Sequence, residues 1–263
     1  MKTALITGAT SGIGLEMALI LAQKGYNLIL ASRRKDKLEE LSSKLEEKFK
    51  IKTNILAIDL SLPGSAKKLF EKFKNYKIEI LINNAGFGLF EEHRKLDIKK
   101  VEEMIYLNIV TLTNTCSLFG AQMKERNRGY ILNLASTAAF VPLPYSAAYA
   151  ATKSYVLNFS EAIAKEFEDY NVSITCLSPG MTDTNFFNMA GVGNKNKGMF
   201  AKSERMSAKE VAKYGIQAMF SKKLSVVPGI RNRTMIFTYR FFSRKMIAKL
   251  AKIFIKKGLE VKN

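Results

Sequence analysis

The sequence predicts an α/β fold, a doubly wound parallel sheet of about seven strands flanked by helices. Three observations carry this expectation. Short apolar runs of strand length alternate with longer amphipathic runs from the first residue onward, and the short runs are near-continuous, as in strands covered on both faces. Every connection between successive runs is long enough to hold a helix, which a parallel crossover requires. The chain of 263 residues, 47% hydrophobic and 25% charged, is large enough for one core and carries no repeat, low-complexity tract or Pro/Ser-rich linker that would divide it.

The strand Thr3 to Thr7 leads into a helix from Ile13 to Lys24, which returns the chain to a strand from Asn27 to Ala31. A helix from Lys35 to Phe49 precedes Asn54 to Ile58, and one from Ser65 to Tyr76 precedes Ile78 to Ile82. The longest crossover, Ile98 to Glu125, feeds Tyr130 to Ala135, and Ala147 to Tyr170 feeds Val172 to Leu177. This βα alternation specifies the doubly wound sheet. A seventh short strand, Leu224 to Val227, is stopped by Pro228-Gly229, while Asn185 to Met206 reads as irregular. The uncharged runs Met104 to Gln122 and Gly129 to Thr152 are poor membrane spans, because the first carries hydroxyls and amides and the second Pro142 and Pro144. Both read as buried elements. Cys116 and Cys176 stand apart from any metal-ligand spacing, so no metal site is expected and a reduced, cytoplasmic setting is the simplest reading. His93 is the single histidine, so a zinc site or a Ser-His-Asp triad could be built only around it. A glycine fingerprint so soon after Met1 argues against a signal peptide.

That fingerprint is Thr7-Gly8-Ala9-Thr10-Ser11-Gly12-Ile13-Gly14. Gly8, Gly12 and Gly14 let the backbone turn tightly and approach a pyrophosphate, which then sits on the positive end of the following helix. The second strand runs out into Ser32-Arg33-Arg34, where an NAD site would place a carboxylate for the ribose hydroxyls. Two guanidinium groups suit a 2'-phosphate instead, so the expected cofactor is NADP(H). The fourth strand ends in Asn83-Asn84-Ala85-Gly86, Ser136 closes the fifth, and Tyr149 and Lys153 share one helix face. Alone, the Tyr-x-x-x-Lys pattern is uninformative, since about one match is expected by chance in this composition. The order and placement of the motifs discriminate.

On these motifs the chain resembles the short-chain dehydrogenase/reductase family from Met1 to about Gly229. Gly8, Thr10, Ser11, Gly12, Ile13 and Gly14 match its cofactor loop, Asn84, Ala85 and Gly86 its fourth-strand motif, and Asp59-Leu60 its adenine contact. Ser136, Tyr149 and Lys153 match its catalytic core, and Pro179-Gly180-Met181-Thr182-Asp183-Thr184 its PG motif. Asn108 falls where the family places a fourth catalytic residue. The resemblance implies a Rossmann-type catalytic domain over 1–229, with 230–263 as an extension, and interconversion of a carbonyl and an alcohol. Besides the loop, it implies cofactor contacts from Tyr149, Lys153, Pro179, Gly180, Thr182 and Thr184. Tyr149 would exchange a proton with the substrate oxygen, Ser136 would stabilise that oxygen, Lys153 would hold the nicotinamide ribose, and Asn108 would anchor a water returning protons to the lysine. It also implies a homodimer or homotetramer paired through Ile98 to Glu125 and Ala147 to Tyr170.

A free tyrosine has a pKa near 10, and a lysine ammonium about 4 Å away would act on it by roughly 4 kcal/mol at an effective dielectric of 20. Tyr149 is therefore expected to titrate near neutral pH. Substrate identity is expected in Thr137 to Tyr145 and in Asn185 to Met206, whose Phe186, Phe187, Met189, Met199 and Phe200 around three glycines suit a lid over a hydrophobic carbonyl compound. An NADP(H)-binding redox sensor without turnover is the competing reading, but it would not need Asn108, Ser136, Tyr149 and Lys153 together. The net charge of +19 comes with no helix-turn-helix, zinc-finger or RNA-binding signature, so no nucleic-acid partner is expected. From Lys222 to Asn263 the tail holds twelve basic residues against Glu260, a net +11. Its apolar positions Phe242, Met246, Ile247, Leu250, Phe254 and Ile255 recur at helical spacing between Tyr239 and Lys257. Such a stripe either packs on the lid or on a partner subunit, or lies peripherally on an anionic inner membrane surface. Packing is the commoner use and the one expected.

Overall fold

The computed structural model describes residues 2–184, 186 and 205–259. Its strands are β1 (Thr3–Thr7), β2 (Asn27–Ser32), β3 (Thr53–Ala57), β4 (Ile78–Asn83), β5 (Gly129–Leu134), β6 (Val172–Leu177), β7 (Thr182–Asp183), β8 (Met206–Ser207) and β9 (Ser225–Val226). Seven of them form one parallel sheet in the order β3-β2-β1-β4-β5-β6-β9. Its helices are α1 (Gly12–Gln23), α2 (Lys35–Phe49), α3 (Ser65–Phe73), α4 (Ile98–Ile105), α5 (Leu112–Glu125), α6 (Ala147–Glu166), α7 (Ala208–Phe220), α8 (Ile230–Thr238) and α9 (Arg244–Leu259). Strand order reverses between β1 and β4, so the carboxyl ends of these two strands flank the crevice that such sheets offer to ligands.

Both sheet faces are covered, as the unbroken apolar runs predict. Ala4 and Ile6 of β1 pack with Met17 and Leu21 of α1 and Val211 and Ile216 of α7, while Leu5 faces Phe73, Phe119 and Val156 from α3, α5 and α6. The stretch Ile98–Glu125 is apolar enough to cross a membrane by length and composition, but its α5 part packs on β4 and β5. A chain of buried polar groups runs through that packing. Thr115 Oγ1 donates to Asn83 Oδ1 at 2.8 Å, Asn83 Nδ2 to Asn133 Oδ1 at 2.9 Å, and Asn133 Nδ2 to Ser160 Oγ at 2.9 Å. Cys116 and Cys176 are free and buried.

Four local features depart from the sequence expectation. The crossover from Ile98 is not one uniform helix, because Tyr106–Thr111 forms a π turn between α4 and α5. Helix α7 was not anticipated, although Ser207 and Glu210 form a complete capping box at its start. Helix α8 was also unanticipated. The tail helix begins at Arg244 rather than Tyr239, since Phe242 is extended and Ser243 Oγ accepts from Met246 N at 3.3 Å to start the helix there.

Candidate active site

The turn after β1 is shaped by contacts that exclude side chains. Gly8 has φ +67°, and its N–H donates to Ala31 O at 2.8 Å. A Cβ on Gly14 would stand 2.4 Å from the Gly8 carbonyl oxygen, so the loop closes this tightly only with glycine there. Thr7 Oγ1 receives Asn84 N at 3.1 Å and Ala85 N at 3.0 Å, and Asn84 Nδ2 donates to Thr7 O at 2.9 Å and Gly8 O at 3.1 Å. Asn84 was expected to contact the cofactor, and its side-chain amide donors hold the loop.

Ser11 caps α1 without a side-chain capping bond, and the amides of the first turn face the crevice end of the helix. Above them lies Thr184, whose Cγ2 would be 3.1 Å from a Cβ on Gly12. Thr182 Oγ1 donates to Gly180 O at 3.0 Å, and β7 pairs with β8, which fixes the PG segment over the loop. Pro179 O accepts from Thr137 N at 2.9 Å. On the other flank, the Ser32 and Thr10 hydroxyls are 2.9 Å apart, with Arg33 and Arg34 exposed beside them. Burial alone would raise the Asp59 carboxyl, but two hydrogen bonds from Ser61 and the charges of Arg33 and Lys100 outweigh it and hold Asp59 below its usual range. Leu60 is buried, its carbonyl held by Thr111 and Ser65.

Tyr149 and Lys153 lie one turn apart on the buried face of α6. Lys153 Nζ donates to Leu134 O at 2.7 Å and sits 5.9 Å from the Tyr149 ring centroid. Ser136 Oγ starts the 3-10 turn Thr137–Phe140 by accepting from Ala138 N at 3.1 Å, and it also faces the Tyr149 hydroxyl. A Cβ on Gly86 would lie 2.9 Å from Asn108 Oδ1 and 3.5 Å from Lys153 Nζ, so these groups converge on one glycine. Asn108 sits in the π turn and donates from Nδ2 to Phe87 O at 3.0 Å and to Thr152 Oγ1 at 3.0 Å. Both amide donors are thereby used and Oδ1 accepts from Phe87 N at 3.3 Å, which leaves the expected water anchoring to the remaining acceptor capacity of its oxygen atoms.

Electrostatics corrects a second expectation. Burial pushes the Tyr149 phenol up to about 12, against a hydrogen bond with Ser136 that pulls it down, and burial lowers the Lys153 ammonium to about 8. This direction runs against the near-neutral tyrosine expected from the lysine charge. Burial is the larger influence on the phenol and the Ser136 hydrogen bond opposes it, while the Lys153 ammonium directs a proton at the Leu134 carbonyl.

The family model described as short chain dehydrogenase matches residues 2–195. The chain belongs to this family. It is 32% identical over 251 residues to a 7beta-hydroxysteroid dehydrogenase of Clostridium sardiniense, covering 95% of this chain and 94% of that one. With a very-long-chain 3-oxoacyl-CoA reductase of Homo sapiens it shares 34% identity over 180 residues, 67% of this chain but only 58% of the relative. A solved short-chain dehydrogenase from Sphingobium yanoikuyae in complex with NADPH aligns with a TM-score of 0.82 at 27% identity, covering 88% and 89% of the two chains. Membership makes the protein an oxidoreductase of carbonyl and alcohol groups. The glycine-only turn, the helix start that Ser11 leaves without a side-chain cap and the basic Ser32-Arg33-Arg34 corner fit a phosphorylated dinucleotide.

For this short-chain dehydrogenase the sequence reading missed the Phe87-Gly88-Leu89-Phe90 run, which walls the site together with the expected Phe186. Phe90 and Phe186 bracket the Tyr149 ring at centroid distances of 6.0 and 5.7 Å, and a Cβ on Gly88 would touch both Tyr149 and Phe186. Leu89 O accepts from Ser146 Oγ at 2.9 Å and Glu91 N donates to Tyr145 O at 2.8 Å, so the 87–91 loop is tied to the expected substrate loop. The run Phe87-Gly88-Leu89-Phe90 directly after Asn84-Ala85-Gly86 was the available signal. Asn232 of α8 was missed too; its side chain fills the space a Cβ on Gly180 would need. Of the expected lid, Phe186, Arg205 and Met206 are placed, whereas Asn185 and residues 187–204, with Phe187, Met189, Met199 and Phe200, lie outside the described residues.

Proposed function

We propose that the protein is an NADP(H)-dependent reductase that interconverts a ketone and a secondary alcohol on a bulky apolar substrate, with Tyr149 as the acid and base. The observation that carries this reading is the setting of Tyr149: a protonated phenol buried between Phe90 and Phe186, with Ser136 at its oxygen and Lys153 one turn behind. Its hydroxyl donates to the substrate oxygen, and the Ser136 hydroxyl supplies a second donor as that oxygen gains charge. Lys153, cationic below about pH 8, stabilises the phenolate left behind and holds the ribose. When bound, the nicotinamide supplies the hydride to the carbonyl carbon.

The apolar character of the substrate rests on the aromatic walls, and it agrees with the names of the steroid and very-long-chain acyl relatives. NADP(H) rests on Ser32, Arg33 and Arg34 and on the NADPH complex of the Sphingobium relative. In this reading residues 1–229 form the catalytic domain, and the outward faces of α4, α5 and α6 pair two copies. The test is a panel of steroid ketones and 3-oxoacyl esters followed by NADPH absorbance. Turnover of bulky ketones above small ones is expected; tight NADPH binding with no turnover on any of them would establish the sensor reading instead.

A further inference from the structure

Nine of the fifteen large apolar side chains that are exposed among the described residues lie between Ile230 and Phe254. The apolar stripe of the tail, expected to pack, is split by α9 into two faces. Ile247, Ala251 and Ile255 turn inward, with Ile247 and Ile255 buried. Met246, Leu250 and Ile253 occupy a second face and are 41, 54 and 47% exposed. Lys245, Lys249 and Lys252 follow the same helical spacing on a third, exposed flank beside it. From Ile230 to Leu259 the chain has nine Lys and Arg and no Asp or Glu.

We infer that α8 and α9 dock the protein on an anionic lipid surface, with Met246, Leu250 and Ile253 entering the interface and the lysine flank meeting the headgroups. An apolar face bordered by cations, with no acid in thirty residues, has the composition of an interfacial helix. A second copy of the chain is the poorer occupant. Two such faces would bring together two tails of net +11 with no carboxylate between 230 and 259 to offset them. The placement also suits the site, because α8 contacts the Thr137–Phe140 turn and Arg244 shares a cavity of about 660 Å³ with Phe140, Val141, Pro142 and Leu143 of the substrate loop. An apolar ketone could then pass between bilayer and crevice along that loop, a consequence that rests on the proposed function, whereas the docking does not.

The test uses the full chain and co-sedimentation with vesicles of phosphatidylcholine alone or with about one third phosphatidylserine. Binding to the anionic vesicles at low salt, release at high salt and little binding to the neutral ones are expected. Lys249→Glu with Lys252→Glu should lower the bound fraction at least about tenfold, and Met246→Ser with Leu250→Ser should do the same, both with unchanged Tm and unchanged thermal stabilisation by NADPH. No sedimentation with anionic vesicles, equal binding to neutral ones, or indifference to both variant pairs would overturn the inference. So would a lower Tm in Met246→Ser/Leu250→Ser, which would mean the face packs within the chain, or conversion of a dimer to a monomer by that pair. None of these readouts requires turnover, so failure of the reductase reading is seen separately.

Discussion

Gly14 and Gly88 stand in the two halves of the crevice, and an added methyl would meet different matter at each. At Gly14 it would strike the Gly8 carbonyl oxygen and the Asn84 side-chain amide, each at 2.4 Å, in a turn that this amide clamps; at Gly88 it would press on the Tyr149 ring at 3.0 Å and the Phe186 ring at 3.1 Å. The nucleotide half is thus defined by main chain and an amide pinned to it, which cannot yield without unmaking the turn, and the substrate half by aromatic side chains that can rotate. The difference teaches that cofactor binding and turnover should fail separately, and variants can be chosen to try that separation.

The largest expected effect is Tyr149→Phe, which removes the proton donor and leaves the glycine turn and the basic corner untouched. Its kcat should fall about a thousandfold with NADPH thermal stabilisation retained, and a residual rate above about a tenth of wild type would end the acid-base assignment. Lys153→Met should abolish most activity yet raise stability, by about 2 kcal/mol at pH 7 once the lost hydrogen bond to Leu134 is counted. The sign follows from the folded pKa of about 8, below the unfolded value near 10.4: the cost of burying the charge is present below pH 8 and is relieved as pH rises toward 10.4. Wild-type stability should therefore climb across that window in urea melts and pass that of the variant, while parallel curves would contradict a desolvated lysine.

Gly14→Ala against Gly88→Ala sets the two halves side by side. Overpacking of about 1–3 kcal/mol should weaken NADPH at least tenfold in the first, whereas the second should shift kcat and KM for the ketone a few-fold with NADPH affinity unchanged; equal loss of NADPH binding in both would erase the distinction. The smallest effect concerns the rim of the nucleotide half. Ser32→Asp with Arg33→Ala should turn a preference for NADPH of about tenfold into one for NADH, because a carboxylate repels the 2'-phosphate and accepts from ribose hydroxyls. Equal thermal shifts with the two cofactors in wild type would remove the basis for it.

Much of this was legible in residue types. The six long strands fall within a residue of the apolar runs, and Ser136, Tyr149, Lys153 and Asn108 converge as their order along the chain implied, since parallel topology sends each strand's end to one edge of the sheet. What was not legible depends on neighbours distant in sequence. That Asn84 would hold the glycine turn, that Asn108 would spend its amide on Phe87 and Thr152, and that burial would push the Tyr149 phenol up depend on packing. Helix α7 was a different omission, for its Ser207 and Glu210 signal was present and local. The two-faced tail helix looked like one stripe because spacing alone shows which residues share a side, not what covers them.

The buried amides of Asn83 and Asn133 give the sheet a key as well as a seam. β4 and β5 are runs of nearly interchangeable Ile and Leu, paired with Ile82 beside Leu132 and Asn83 beside Asn133. Sliding β5 by two residues would keep every apolar side chain on its own face of the sheet. The same slip would part Asn133 from Asn83 and Ser160 and strand its amide in the core, a penalty of about 1–3 kcal/mol per unpaired group. Mispaired collapsed chains are thereby disfavoured during folding, and the interior that supports the reaction is proofread by polar groups that take no part in it.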